Sequence, residues 1–123
     1  MEDRVFVFGS NRLGIHGAGA ALFAQRHRGA LRGRGEGHHG QSYALPTKDT
    51  PWASLQLEEV ARHVATFIAY ARAHPELRFQ VTPVGCGLAG FSPEQVAPLF
   101  VEAPENCDLP DEFLRVLAPC PGP

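Results

Sequence analysis

The chain has 123 residues, which leaves room for one domain built around one hydrophobic core. A formal net charge of -2, with charged residues at 20% of the chain, argues against an overall polyanion or nucleic-acid binder. Three cysteines with no CxxC pair fit neither a disulfide framework nor a zinc knuckle.

Met1-Glu2-Asp3-Arg4 leads directly into a short apolar stretch, without a signal-peptide pattern, and no apolar run approaches bilayer length. The expectation is a soluble cytoplasmic protein that needs no membrane, metal or cofactor. A local basic cluster of Arg26, His27, Arg28, Arg32 and Arg34 reads as a solvated face before it reads as a binding patch.

In chain order, Val5-Phe6-Val7-Phe8 is an apolar run suited to a strand buried on both faces. Gly9-Ser10-Asn11 ends it, and a helix is expected from about residues 17–19 to residue 28, with Ala20, Ala21 and Ala24 on a small-residue face. Gly29 stops that helix. Residues 29–40 are rich in glycine, with Gly33, Gly35 and Gly37 alternating. That spacing suits neither a stable helix nor a well-packed strand. It fits either a mobile loop or a backbone that approaches a ligand or another strand closely.

Ser42-Tyr43-Ala44-Leu45 reads as a second strand ended by Pro46, which delivers Thr47, Lys48 and Asp49 to its C-terminal edge. Residues 50–54 read as a turn-rich linker. Leu57, Val60, Ala61, Val64, Phe67, Ile68 and Ala71 recur at helical spacing, with Glu58 and Glu59 favourably placed in the first turn. A third strand spans residues 78–84, where Pro83 marks an edge or an end. Gly85-Cys86-Gly87-Leu88-Ala89-Gly90-Phe91 follows, then the capping box Ser92-Pro93-Glu94-Gln95, which opens a helix over about residues 93–100. Asp111–Leu117 suits a short helical turn, and residues 118–123 are expected to be a disordered tail.

The β-α-β-α-β-α order predicts a single three-layer α/β/α domain over residues 1–117, macro-like or Rossmann-like, with a mixed or parallel sheet. In such sheets ligands gather beyond the carboxyl ends of the strands, where helix N-termini also point. The loops at Gly9–Gly19 and Gly85–Phe91 should then share one rim with Lys48 and Asp49. Backbone N–H groups would meet an anion and short polar side chains would meet hydroxyls. Alternatively, Gly17, Gly19, Gly85, Gly87 and Gly90 serve only close packing of helix on sheet.

The blocks Phe8-Gly9-Ser10-Asn11, His16-Gly17-Ala18-Gly19-Ala20-Ala21, Ser42-Tyr43-Ala44-Leu45-Pro46-Thr47-Lys48-Asp49 and Gly85-Cys86-Gly87-Leu88-Ala89-Gly90-Phe91 resemble those of a family of small bacterial and phage proteins whose function is uncharacterised. More remotely, the same blocks in the same order resemble macro domains. That second resemblance implies a site for ADP-ribose or a related NAD-derived nucleotide. Asn11 would touch the distal ribose, the two glycine loops would clamp the diphosphate, and Phe91 would stack near the ribose. Macro domains usually carry an Asp at the first strand that reads adenine; this neighbourhood offers Asp3 and Arg4.

The candidate ligand-binding set is therefore Gly9, Ser10, Asn11, His16, Gly17, Gly19, Lys48, Gly85, Cys86, Gly87, Leu88, Ala89, Gly90 and Phe91. His16 and Asp49 are the candidate acid–base groups, should an ADP-ribosyl derivative be hydrolysed. Cys86 is either a nucleophile beside a helix N-terminus or a small filler in a tight loop. His38-His39 lacks a spaced third ligand for a metal. The partner expected is a small-molecule nucleotide. Two rival readings are a Rossmann-like nucleotide phosphoribohydrolase using Lys48 and Asp49, and a non-enzymatic module whose glycine loops pack against a second copy of the chain.

Overall fold

The computed structural model describes residues 3–118. Its elements are β1 (Val5–Asn11), α1 (Gly19–His27), β2 (Gly37–His39), β3 (Ser42–Thr50), β4 (Ala53–Ser54), α2 (Leu57–Ala73), β5 (Phe79–Val81), α3 (Pro93–Val96), β6 (Cys107–Asp108) and α4 (Asp111–Leu117). A 3-10 turn, Ala97–Phe100, continues α3. Among the described residues no helix is long and apolar enough to cross a membrane. The tail beyond Ala118 lies outside the described residues.

The strands form one sheet in the order β2-β3-β1-β5-β6, with β4 paired to β3. β1 runs parallel to both β3 and β5, and β5 runs parallel to β6. β2 and β4 are antiparallel to β3. Period-two alternation along β1 divides the core. Val5 and Val7 join Tyr43, Leu45 and the apolar stripe of α2 (Val60, Val64, Phe67, Ile68, Ala71) on one face. Phe6 and Phe8 join Ala44, Ala24 and Ala30 beneath α1 on the other. Helices thus cover both faces, and the three-layer α/β/α expectation is met.

Phe67 is the hub of the larger layer. Its ring lies 5.0 Å from Tyr43 and 5.3 Å from Phe79, both edge-on, a geometry that adds about 0.5–1.5 kcal/mol per pair beyond area burial. The buried Asn106 amide donates to the carbonyls of Ala71, His74 and Leu77, which would otherwise be orphaned where α2 ends.

Three expectations need correction. Pro46 does not end its strand, because β3 continues to Thr50. Phe6 N–H donates to Gln41 O at 2.9 Å, so up to Leu45 the odd-numbered residues of β3 bond to β1 and the even-numbered ones face β2. β2 begins opposite Ala44, and Pro46 lies past it, where its missing N–H leaves no gap in a ladder. Residues 50–54 are not a linker but a hairpin, since β4 folds back on β3 with Lys48 opposite Ser54. The third strand is shorter than expected, Phe79–Val81, because the chain turns once Thr82 has bonded to Val7 O through both N–H and Oγ1.

In the glycine-rich stretch 29–40, Gly29, Gly35 and Gly40 lie in close approach to neighbouring backbone, while Gly33 and Gly37 hold positive φ. A Cβ on Gly35 would stand 2.2 Å from Asn11 O, and one on Gly14 would stand 2.4 Å from Arg34 N. Gly33 N–H donates to Gly14 O at 2.9 Å, and Ser10 Oγ donates to Gly35 O. The segment is clamped against the turn that follows β1, and then pairs as β2.

Candidate functional site

β1, β3 and β5 are parallel neighbours, so their carboxyl ends emerge along one rim. From β1 the chain crosses to β3 through α1 on one face; from β3 it crosses to β5 through α2 on the other. The loops after β1 and β5 therefore leave on opposite faces and open a crevice between them, as expected at the switch point of an open α/β sheet. A cleft of about 430 Å³ occupies that place. Its floor is Gly9, Ser10, Asn11, Thr47, Thr82, Pro83 and Val84, one wall is Ile15 with residues 17–21, and the other is Gly85 with residues 87–89. Lys48 and Pro51 close the side between the walls.

Asn11 shapes the first wall through a local turn. Its Oδ1 accepts from Ile15 N–H at 3.1 Å and its Nδ2 donates to Ile15 O at 2.9 Å. This two-bond bridge across residues 11–15 holds the chain so that α1 starts at the cleft. The first intrahelical bond closes from Leu22 N–H onto Ala18 O, and the N-cap residue Ala18 contributes no side-chain acceptor. The N–H groups of Gly19, Ala20 and Ala21 are thus left at the helix end, on residues that line the cleft.

The second wall is a compact loop. Phe91 N–H returns to Gly85 O at 2.9 Å and Gly90 N–H to Gly87 O at 3.0 Å. Gly85 and Gly90 hold φ of 78° and 85°, where a side chain is strained. The two walls meet at the floor, since a Cβ on Gly9 would sit 3.3 Å from Gly85 N. Above, Ser54 Oγ donates to Ala89 O at 2.6 Å, tying the β3–β4 hairpin to this loop.

Gly17 and Gly87 stand apart from the other glycines. Both line the cleft, neither has a positive φ, and a Cβ on either would meet nothing within 4 Å. Neither folding nor packing within the chain requires glycine there.

No protein-family model, curated protein or solved structure matches the chain. The site must therefore be read from its own geometry.

Of the candidate binding residues, the fold brings Gly9, Ser10, Asn11, Gly17, Gly19, Lys48, Gly85, Gly87, Leu88 and Ala89 to one cleft. His16, Asp49, Cys86, Gly90 and Phe91 do not line it. Phe91 packs inward against the larger core, next to Gly85. Cys86 also packs against that core, and its Sγ faces Val84 O at 3.6 Å. Burial, with Glu112 and Glu94 adding to it, pushes its thiol up, the direction that goes with a small filler in the loop. Asp49 is exposed on the rim and pairs with Arg12 Nη1 at 3.5 Å, while Arg12 also binds Glu59 at 2.9 Å.

His16 is sealed behind the cleft. It is 3% exposed, edge-on to Phe8 at 5.3 Å, with Nε2 donating to Leu31 O at 3.1 Å and Nδ1 buried without a partner among the described residues. Burial lowers its pKa from 6.5, against smaller opposing effects of the Leu31 and Arg34 backbone. The neutral ring is the folded form. The unfolded chain takes up its proton first, so this group leaves stability intact above about pH 6.5 and removes it as pH falls toward the lowered folded value. Urea titrations from pH 7.5 to 5 should show a smaller loss of stability for His16→Gln, which keeps a donor for Leu31 O, than for the wild type. Equal slopes would refute the assignment.

Lys48 is the one ionisable side chain lining the cleft among the described residues; its Nζ also donates to Pro51 O. Sequence reasoning passed over Ile15, Pro51, Thr82 and Pro83 as lining groups, because a side chain's aim at a strand end depends on register, which local composition does not carry.

Proposed function

We propose that this chain is a binding domain for an anionic nucleotide, ADP-ribose or a related NAD-derived metabolite, held in the cleft between the β1 and β5 loops. The observation that carries the reading is the pair Gly17 and Gly87: both border the cleft, and neither is explained by the chain's own backbone or packing. A ligand lying against bare backbone accounts for both. The uncapped N-terminus of α1 supplies N–H donors and a favourable dipole for a phosphate, and Lys48 supplies the counter-charge. The resemblance to macro domains selects ADP-ribose among such ligands.

Binding without turnover is the form of the proposal. No carboxylate or imidazole lines the cleft among the described residues, so neither hydrolysis of an ADP-ribosyl bond nor a phosphoribohydrolase step has a general base at hand. Calorimetric titration with ADP-ribose, NAD, AMP and ribose 5-phosphate tests the reading. ADP-ribose should bind and, at about 100 times its Kd, stabilise the fold by about 2.7 kcal/mol, while chromatography finds it unchanged after incubation. Silence with all four ligands, together with a concentration-dependent oligomer, would overturn the proposal in favour of a self-assembling module.

A further inference from the structure

The cleft has an apolar mouth. Trp52 is 87% exposed and Leu88 is 77% exposed. They sit on the two structures that meet above the cleft: the β3–β4 hairpin carries Trp52 next to the lining residue Pro51, and the β5 loop carries the lining residue Leu88. The hairpin is ordered. Lys48 Nζ donates to Pro51 O, Trp52 N–H donates to Thr50 Oγ1 at 3.2 Å, and Ser54 Oγ reaches Ala89 O across the junction at 2.6 Å. A large aromatic ring left in water at the tip of a fixed turn makes no contribution to the core. Trp52 is not itself a lining residue, but its neighbour Pro51 is, and the same cleft is lined by Lys48, the N-terminal residues of α1 and the apolar Leu88, a combination that matches a ligand anionic at one end and flat and apolar at the other.

We infer that Trp52 is the residue that selects for a base, stacking on the nucleobase of the bound nucleotide at the mouth of the cleft while the phosphates meet the α1 N-terminus and Lys48. The inference rests on the nucleotide reading above and adds to it the source of discrimination between a nucleotide and a bare sugar phosphate. Aromatic stacking tolerates any base, because every base presents a π-face. The site should therefore favour nucleotides over sugar phosphates more strongly than it favours one base over another.

Trp52 is the chain's single tryptophan, so its emission reports the contact directly. Titration with ADP-ribose or AMP should change Trp52 emission with the same midpoint as the calorimetric isotherm, whereas ribose 5-phosphate should bind with no change in emission. Trp52→Ala should weaken ADP-ribose and AMP about 10-fold or more, as expected for loss of one stacked base, and leave ribose 5-phosphate unaffected. Trp52→Phe should recover part of the loss. The melting temperature of Trp52→Ala should match the wild type, since the side chain packs on nothing. If ADP-ribose binds both proteins equally and the emission stays constant, the base lies elsewhere and this inference fails while the nucleotide reading stands. If no nucleotide or sugar phosphate binds the wild type, both fail. Emission that instead depends on protein concentration, with a dimer abolished in Trp52→Ala, would assign the mouth to a second copy of the chain.

Discussion

Gly35→Ala is expected to destabilise the protein by about 3 kcal/mol or more, toward the upper end of what overpacking costs. The added Cβ would stand 2.2 Å from Asn11 O and 3.0 Å from the carbonyl carbon and Cα of Arg12. These are backbone atoms, so no side chain can rotate away. Relief requires moving either the end of β1 or the segment 33–35, and the Ser10–Gly35 hydrogen bond joins the two. For a domain of this size such a loss is a large share of the total stability and should lower the melting temperature by roughly 10 °C or more. Thermal unfolding followed by circular dichroism is the measurement, with Gly17→Ala as the matched control. Its added Cβ meets nothing within 4 Å, so its melting temperature should stay near that of the wild type. A Gly35→Ala protein that melts with the wild type would show that the clamp is not tight.

The second large effect separates binding from folding. Gly17→Val and Gly87→Val should each weaken ADP-ribose at least 100-fold, equivalent to about 2.8 kcal/mol of binding free energy at about 1.4 kcal/mol per factor of ten. Stability should change by no more than about 0.5 kcal/mol, as for surface positions free of packing. The contrast with Gly35 is the test: one set of glycines is occupied by the chain itself, the other by open space at the cleft. Urea denaturation and calorimetry on the same preparations give both numbers. Unchanged affinity in both variants would mean that no ligand lies against this backbone, and would remove the main support for the proposed function.

Much of the architecture was legible because periodicity reports burial. The stripe from Leu57 to Ala71 is α2, and the capping box at Ser92 is present in full, with Gln95 N–H donating to Ser92 Oγ and Gln95 Oε1 accepting from Ser92 N–H. The rim was legible too, once β1, β3 and β5 proved parallel. What escaped was whatever depends on partners distant in sequence. β2 could not be read from Gly37-His38-His39, because its identity as a strand comes from pairing with β3. The role of Gly35 depends on Asn11, and His38 is held between Tyr70 OH at 2.5 Å and Gly40 O at 3.0 Å. The same reason governs His16, whose place beside the glycine loop suggests chemistry while its ring turns toward Phe8 and Leu31. Adjacency along the chain places a residue near a site and says little about which way it points.

The two layers that cover the sheet are unequal in a way that bears on motion. On one side α2, α3, α4 and the 3-10 turn share an aromatic core; on the other, α1 rests on Phe6, Phe8 and a few alanines. Amides of α1 should accordingly exchange through openings that leave the α2 layer intact, since a thin contact sets a low local free energy. The helix that offers its N-terminus to the cleft therefore sits on the thinner of the two layers. Whatever occupies the cleft would tighten that layer as it binds, so that affinity and the local opening of α1 become two readings of one equilibrium.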